Sequence, residues 1–283
     1  MTEEASPPEA ALPFVAPCRP LTAAAPLRWL RLGSRDMWSA PRQSLAYGCV
    51  VVLLSFALAW VAVELGGYWE LLSLVSGFIL IAPLLAIGTY AISSQLERGE
   101  PPSLRRCLRE ERRAIGNLAV FALMLMVVFL VWARAGSAIH VFFPIGSQPG
   151  WREYVTFFGI GSAVGSIFAL IVFAAAAFSL PMLLDRRVDT VTAVVTSINA
   201  VLRNRVAMAV WAACIVLAVA PGFALLFIGR DTGAGLAWIM VALGITLPLI
   251  GHATWHAYRE TVDASAWPRA EEEGKGDREG DRG

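Results

Sequence analysis

Charged residues are missing from long parts of this sequence. Six apolar runs contain no Asp, Glu, Lys or Arg, and they cover residues 45–63, 71–92, 115–133, 154–184, 206–228 and 235–258. A helix needs about 20 apolar residues to cross the hydrocarbon core of a bilayer, and each run has about that many or more. Charged residues make up 16% of the chain, against about 25% in soluble domains. The sequence therefore predicts an all-α, polytopic membrane helix bundle with six transmembrane helices.

The runs also lack the groups with which membrane proteins move charge or catalyse reactions. Proton pumps and ion-coupled carriers usually hold ionisable side chains inside the bilayer, whereas the polar side chains in these runs are mainly hydroxyls. No grouping of acid, base and nucleophile is visible. We therefore predict no catalytic residues and no enzyme activity, while a passive pathway or a lipid-handling groove stays open.

Cysteine is scarce, with four residues at positions 18, 49, 107 and 214. The chain has no Cys-x-x-Cys motif and no external pair in the expected topology, so we predict no disulfide. The basic residues flank the apolar runs and do not form a reading surface for bases, so no nucleic-acid partner is predicted. Membrane lipids are the expected partners, and a partner membrane protein or a second copy of the chain stays open.

Most of the 23 basic residues lie at alternate ends of the apolar runs. Clusters precede the first run, separate the second from the third and the fourth from the fifth, and follow the sixth. The other connections carry only Arg134, Arg152 and Arg230. Because basic residues concentrate on the cytoplasmic side, we expect both termini in the cytoplasm, as an even number of spans requires.

The ends of the chain differ from its middle in composition. Residues 1–26 begin with acids and continue rich in proline, without the charged-then-apolar pattern of a signal peptide. Residues 264–283 are mostly charged or glycine. Such segments cannot bury enough apolar surface to fold. We expect two disordered cytoplasmic tails, 1–26 and 264–283, around one membrane domain at 27–263.

Three of the runs carry a proline near their cytoplasmic end, at Pro83, Pro181 and Pro248. A proline inside a helix removes a backbone hydrogen bond and kinks the helix, so we predict a kink at each. Basic lead-ins before the first, third and fifth runs complete a weak repeat of three hairpins. The alternative is that prolines are simply common in membrane helices.

Two further patterns predict helix packing. Residues 188–202 place apolar side chains at helical spacing, which predicts a cytoplasmic amphipathic helix capped by Asp189 and lying on the membrane or the bundle. In the fourth run, Gly161, Gly165 and Ala169 form a stripe of small residues that lets another helix approach closely. We expect this stripe to pack inside the bundle, with a homodimer seam as the alternative.

The chain has three histidines, and two of them, His252 and His256, are four residues apart near the cytoplasmic end of the sixth run. Both rings therefore share one helix face, an arrangement that can hold a metal. Met182 and Met208 lie at a comparable depth and leave His/Met haem ligation open. The competing interpretation is that both rings lie at the membrane interface. No further ligands accompany the pair, so neither a metal nor a cofactor is predicted.

Several segments resemble a known family. They are WSAPRQSLAYG at 38–48, GFILIAPLLAIGTY at 77–90, LERGEPPS at 96–103, the region 179–204 with LLDR at 183–186, and GHATWH at 251–256. Together they resemble the bacterial membrane proteins grouped as domain of unknown function 2189, over about residues 35–259. The resemblance implies an inner-membrane protein and supplies no activity.

Some members of that family are labelled as cytochrome c oxidase subunit I. That oxidase subunit resembles a twelve-span protein with six histidine ligands. Six runs and three histidines do not fit it, so only an association with an oxidase or an assembly role is compatible. The sequence thus favours a non-catalytic scaffold, assembly or lipid-interacting factor. The alternatives are a transporter or channel subunit, with a path beside the three prolines, and a haem- or metal-binding protein.

Overall fold

A computed structural model describes residues 13–65, 82–142, 150–229 and 234–270, and these residues are almost entirely helical. The helices are α1 (Ala25–Ser39), α2 (Pro41–Leu65), α3 (Ile87–Glu97), α4 (Leu104–Phe142), α5 (Trp151–Ala176), α6 (Ser179–Asp185), α7 (Thr190–Arg203), α8 (Arg205–Ile228) and α9 (Gly235–Thr261). The described part of the chain contains no strand beyond two isolated bridges. The all-α class is confirmed.

Four segments of the described chain are long and apolar enough to cross a membrane: Leu104–Ile139, Trp151–Asp185, Arg205–Leu225 and Ala237–Thr261. A fifth candidate arises if α1 and the first part of α2, which meet at 102°, are counted as one bent span. These candidates contain the third and fourth predicted runs, most of the fifth and sixth, and part of the first. The second run, 71–92, begins outside the described residues.

The angle between α1 and α2 gives α1 a special position. α2 carries the first apolar run, and α1 meets it at 102°. α1 buries Trp29 and Gly33 against the bundle. A Cβ on Gly33 would overlap the backbone of Ala253 in α9, so glycine allows the two helices to touch. α1 is thus fastened to α9.

The fourth apolar run is broken just before Pro181. α5 and α6 are separated there, and Ser197 of α7 fills the break. The Ser197 hydroxyl donates to the carbonyl of Ala174 at 2.7 Å and accepts the N–H of Phe178 at 3.0 Å. Backbone groups freed inside a membrane need partners within the protein, and this one serine supplies two of them.

The other two prolines differ in their surroundings. Pro248 lies inside α9, which continues through it. The carbonyl four residues earlier, at Gly244, loses its helical donor to the proline ring, and it faces Gly48 of α2, where a Cβ would overlap it. Pro83 lies in a helical stretch at 82–85, and a turn at Ala86 separates that stretch from α3.

α4 is one helix of 39 residues, so the predicted lead-in at 104–115 and the third span are continuous. At 1.5 Å per residue it is about 58 Å long, longer than a bilayer core of about 30 Å. Its first turns, which carry a cluster of arginines, therefore extend beyond the hydrocarbon. The helix continues to Phe142, so His140 lies on it.

α7 and its cap lie where the sequence predicts them, and the structure adds which face of the helix packs on the bundle. The helix begins after Asp189, whose carboxylate accepts the N–H of Thr192 at 2.9 Å. The buried face carries small and hydroxyl side chains such as Ala193 and Ser197, whereas Val191 and Leu202 are more than half exposed. The polar face turns inward because it bonds to the bundle, and the most exposed apolar side chains face outward, as in an interfacial helix.

Both predicted tails are in part packed on the bundle. Residues 13–26 and 264–270 are described, and Trp267 is only 3% exposed. Cys18 and Val262 form an antiparallel bridge, so residues 13–26 meet the chain just before residues 264–270. The predicted tails therefore include residues that pack on the bundle, because a few apolar side chains anchor residues 13–26 and 264–270. The rest of each tail lies outside the described residues.

The outer faces of the long helices are strongly apolar and exposed. Examples from four helices are Leu53 at 68%, Leu130 at 57%, Leu170 at 61% and Leu217 at 71% exposure. Soluble monomers rarely expose apolar surface on this scale. The exposed side chains therefore identify hydrocarbon as the solvent around these helices, and the packed core lies towards the arginine-rich end.

Candidate functional site

A buried polar network lies where α1, α2 and α3 converge on α9. Its members are Asp36 of α1, Ser44 of α2, Ser93 of α3, and His252 and His256 of α9, and we call it the His252 network. Ser44, Ser93 and His252 have no exposed surface. Each of four helices thus contributes at least one polar side chain to a single point at the inner end of the bundle.

His252 is bonded at both ring nitrogens. Its Nε2 lies 2.9 Å from the hydroxyl oxygen of Ser44, and its Nδ1 lies 2.8 Å from that of Ser93. The Ser93 hydroxyl in turn donates to Oδ2 of Asp36 at 2.7 Å. The same oxygen accepts from Nε2 of His256 at 2.8 Å. One imidazole therefore joins α2 to α3, and one carboxylate joins α1 to both α3 and α9.

The carboxylate fixes the direction of every bond in this chain. A carboxylate oxygen only accepts, so the single proton of Ser93 points to Asp36. Ser93 must then accept from His252, which places the ring proton on Nδ1. In a neutral ring the remaining nitrogen, Nε2, is an acceptor, and Ser44 donates to it. The Nδ1–H tautomer is therefore the neutral form of His252 that fits these bonds.

Glycine contacts bring the contributing helices close enough for these bonds. A Cβ on Gly251 would overlap the hydroxyl of Thr89 in α3. A Cβ on Gly88 would overlap the ring of Tyr47 in α2. Gly251 lies next to His252, and Gly88 and Thr89 lie near Ser93. Because these residues have a small side chain or none, α3 packs directly on α9. The network is therefore a product of close helix packing.

Ion pairs surround the next turn of α9. Glu97 accepts the indole N–H of Trp255 at 2.8 Å and bonds to Arg259 at 2.9 Å. Asp185, at the end of α6, accepts the Tyr258 hydroxyl at 2.9 Å and lies 3.6 Å from Arg259. These contacts fasten α3 and α6 to α9 just beyond the network, on the side expected to face the cytoplasm.

A small charged cavity adjoins these ion pairs. Its volume is about 40 Å³, and charged side chains including Arg98, Glu110, Arg113 and Arg269 line it. One water needs about 10–15 Å³ measured in this way. The cavity has room for a few waters and none for a large substrate.

A larger groove lies between α2, the start of α3 and α4, and we call it the Tyr47 groove. Its volume is about 320 Å³, and its walls are mainly aliphatic. At one end the Tyr47 hydroxyl donates to the Glu111 carboxylate at 2.6 Å, beside Arg112. Small-molecule sites have volumes of about 300–1,000 Å³, apolar walls and a few polar groups. The groove has these properties.

The structure places the predicted histidine pair in the network and gives its nitrogens other partners. Both nitrogens of His252 bond to serines, and Nε2 of His256 bonds to Asp36. Within residues 13–65, 82–142, 150–229 and 234–270, no three His, Cys, Asp or Glu side chains are grouped to hold a metal. This geometry favours hydrogen bonding over haem or metal ligation.

The small-residue stripe has no close partner among the described atoms. Gly161, Gly165 and Ala169 are half-buried. Beyond the neighbouring residues and backbone of α5 itself, no atom of the described chain lies within 4 Å of a Cβ built on either glycine. Helix packing at this stripe stays a prediction, as does the homodimer seam.

Sequence reasoning missed most of the network and the polar end of the groove. Asp36 and Ser44 belong to the basic lead-in and to the WSAPRQSLAYG segment, where they look like interfacial polar residues. One signal was available: each helix that meets α9 carries a polar side chain in the turn nearest the arginine-rich end. That pattern does not say which of these side chains meet.

Comparison with known proteins supports the membrane assignment. A family model described as "Predicted integral membrane protein (DUF2189)" matches residues 71–185. The resemblance inferred from the motifs is confirmed over this part of the chain, which contains the second to fourth apolar runs. No curated protein and no solved structure is significantly similar to the chain. The comparison thus supports an integral membrane protein, and the description of the matching family supplies no activity.

Proposed function

We propose that the protein is a non-catalytic scaffold of a bacterial inner membrane, with six spans and both termini in the cytoplasm. The single observation that carries the scaffold role is the closure of the His252 network. Its side chains are bonded to one another across four helices, and three of them are fully buried. Satisfied buried polar networks rigidify a core and specify one arrangement. Ser44, Ser93 and His252 have no exposed surface at which a substrate could reach them.

Chain direction supports the six-span topology. Ser44 and Ser93 both bond to His252, so the chain on either side of residues 45–92 lies at one level. α2 leads away from that level, and an even number of crossings must bring the chain back. The contact between residues 13–24 and 262–270 supports an even total. The arginine clusters favour the cytoplasm for that end.

The His252 network resembles a catalytic triad in the direction of its hydrogen bonds. The order Asp36, Ser93, His252, Ser44 directs proton donation as in a serine hydrolase, where an oriented histidine activates a serine. A nucleophile must meet its substrate, however, and Ser44 has no exposed surface. It lines neither of the two cavities described above. Burial therefore favours a structural role for this serine.

The test uses full-length protein purified from native membranes after mild cross-linking. We expect a stoichiometric membrane-protein complex from the wild type and its loss in Ser93→Ala, with Ser166→Ala as the control, because Ser166 bonds only within its own helix. Three results would contradict the proposal. They are labelling of Ser44 by a fluorophosphonate, a Soret band that disappears in His252→Ala, and solute flux in proteoliposomes.

A further inference from the structure

The Tyr47 groove is apolar along its length and zwitterionic at one end. Its aliphatic walls come from Val50 and Val51 of α2, Leu84 and Leu85 before α3, and Leu108, Ile115 and Leu118 of α4. Glu111 and Arg112 supply one carboxylate and one guanidinium at the polar end. We propose that this groove binds a membrane aminophospholipid of the phosphatidylethanolamine type. One acyl chain would lie in the groove, with the headgroup between Glu111 and Arg112.

The groove faces the lipid, which makes an acyl chain its natural occupant. Val50 and Ile115 line it and are 57% and 63% exposed. They belong to faces of α2 and α4 that contact hydrocarbon. Val51 on the inner wall is 3% exposed, so the cleft reaches into the bundle. A chain from the surrounding bilayer can enter sideways without crossing polar surface.

Charge complementarity selects the headgroup. Arg112 is exposed and forms no ion pair with the part of the chain that the structure describes. A guanidinium binds phosphate with charge-assisted hydrogen bonds. Glu111 is an acceptor with lone pairs to spare beyond the one that Tyr47 uses. A primary ammonium beside a phosphate satisfies both side chains at once.

Other lipid classes satisfy the site less well. An anionic headgroup without an amine would meet the Glu111 carboxylate, and like charges repel. A choline headgroup carries the positive charge and has no N–H to donate to Glu111. The site should therefore rank phosphatidylethanolamine above both phosphatidylcholine and phosphatidylglycerol.

The experiment measures lipid binding to full-length protein in detergent by native mass spectrometry, using dioleoyl lipids of the three headgroups. We expect phosphatidylethanolamine to bind about tenfold more tightly than phosphatidylcholine, the size of one charge-assisted hydrogen bond. Glu111→Gln keeps an acceptor for Tyr47 and should abolish that preference. Arg112→Gln should weaken both lipids about tenfold.

Two controls separate the site from general effects. Arg113→Gln removes the same charge from the neighbouring residue, which lines the charged cavity, and should leave binding unchanged. Ile115→Trp should fill the groove and remove binding of all three lipids, whereas Val120→Trp, on the exposed surface of the same helix, should not. Equal affinity for the three headgroups, or an unchanged preference in Glu111→Gln, would overturn the proposal. The scaffold role would survive that result, because the groove and the His252 network share no residue.

Discussion

At the scale of single residues, hydrogen-bond direction decides which side chain donates to which in the His252 network. Each hydroxyl in the His252 network has one proton, and the carboxylate of Asp36 decides where it goes. Ser93 is therefore both acceptor and donor, whereas Ser44 is only a donor. The two serines look alike in the sequence and differ in how much of the network they hold.

This difference gives a ranked prediction. Ser93→Ala leaves the Nδ1–H of His252 unpaired and removes one donor from Asp36, whereas Ser44→Ala leaves only one acceptor unpaired. An unsatisfied buried polar group costs about 1–3 kcal/mol, so we expect the first variant to lose about twice as much unfolding free energy as the second. Thermal unfolding in detergent measures both.

Ser166→Ala is the matched control, since its hydroxyl is exposed and bonds to the carbonyl four residues earlier. It should change stability little. Equal losses from Ser44→Ala and Ser93→Ala would contradict the assigned direction, as would a ¹⁵N spectrum that places the ring proton of His252 on Nε2.

Asp189 gives a second residue-scale prediction, with a pH dependence. Partial burial raises the pKa of Asp189, but the hydrogen bonds to its carboxylate, those from Thr192 first among them, together lower the pKa below its ordinary value. A depressed folded-state pKa means that the ionised cap stabilises α7 above the unfolded pKa, about 3.9. That stability is lost as the pH falls through the folded-state pKa.

Replacing the cap tests both parts of this argument. Asp189→Ala should cost about 1 kcal/mol near neutral pH, and the gap from wild type should narrow below about pH 4. Asp189→Asn keeps an acceptor and should remove mainly the pH-dependent part. Unfolding curves recorded across this pH range decide the matter, and a gap that widens in acid would be the wrong sign.

At the scale of helices, packing depends on two devices. One is a glycine placed against a carbonyl that a proline has freed, as at Gly48 and Gly244, and the other is a serine that fills a helix break, as at Ser197. Both let irregular backbone exist where no water can satisfy it.

The contact between α2 and α9 should be sensitive to one methyl group. Gly48→Ala places a Cβ on the Gly244 carbonyl, and such overpacking costs about 1–3 kcal/mol. Gly116→Ala makes the same change in α4, where no described atom lies within 4 Å, and should be neutral or stabilising because alanine favours helix. Similar melting temperatures for the two variants would rule out this close contact.

The helix break before Pro181 gives a second prediction at this scale. Ser197→Ala removes the partners of the Phe178 N–H and the Ala174 carbonyl, and we expect a loss of about 1–3 kcal/mol. Ser197→Thr keeps the hydroxyl and should retain most of the stability. Hydrogen exchange at Phe178 reports the break directly, and it should speed up only in the alanine variant.

Sequence predicted these elements unevenly, for physical reasons. The apolar period and Asp189 placed α7 correctly because capping and periodicity are local. Its orientation was not predictable, since burial of Thr196 and Ser197 depends on backbone groups far along the chain. The arginines at 104–115 predict a lead-in separate from the third span. Nothing in that stretch breaks a helix, however, and the two form one helix.

At the scale of the whole molecule, the sequence predicts the membrane class, and five of the six apolar runs have helical counterparts in the structure. Both follow from the length of the apolar runs alone. The candidate site could not be predicted from the lengths of the apolar runs. His252 and His256 were singled out by their spacing, but their partners come from α1, α2 and α3. Only the folded chain shows that these histidines hold helices together.

The most direct test of the account asks whether the chain's two packed segments meet on the cytoplasmic face. Val262→Cys faces native Cys18 across their bridge, in a background with the other three cysteines replaced by alanine. Burial raises the pKa of the Cys18 thiol, so oxidation is run at alkaline pH. We predict an intramolecular disulfide in membranes, and maleimide labelling of the reduced thiols in inverted vesicles but not in intact spheroplasts. Labelling from the periplasmic side, or no disulfide, would contradict the account.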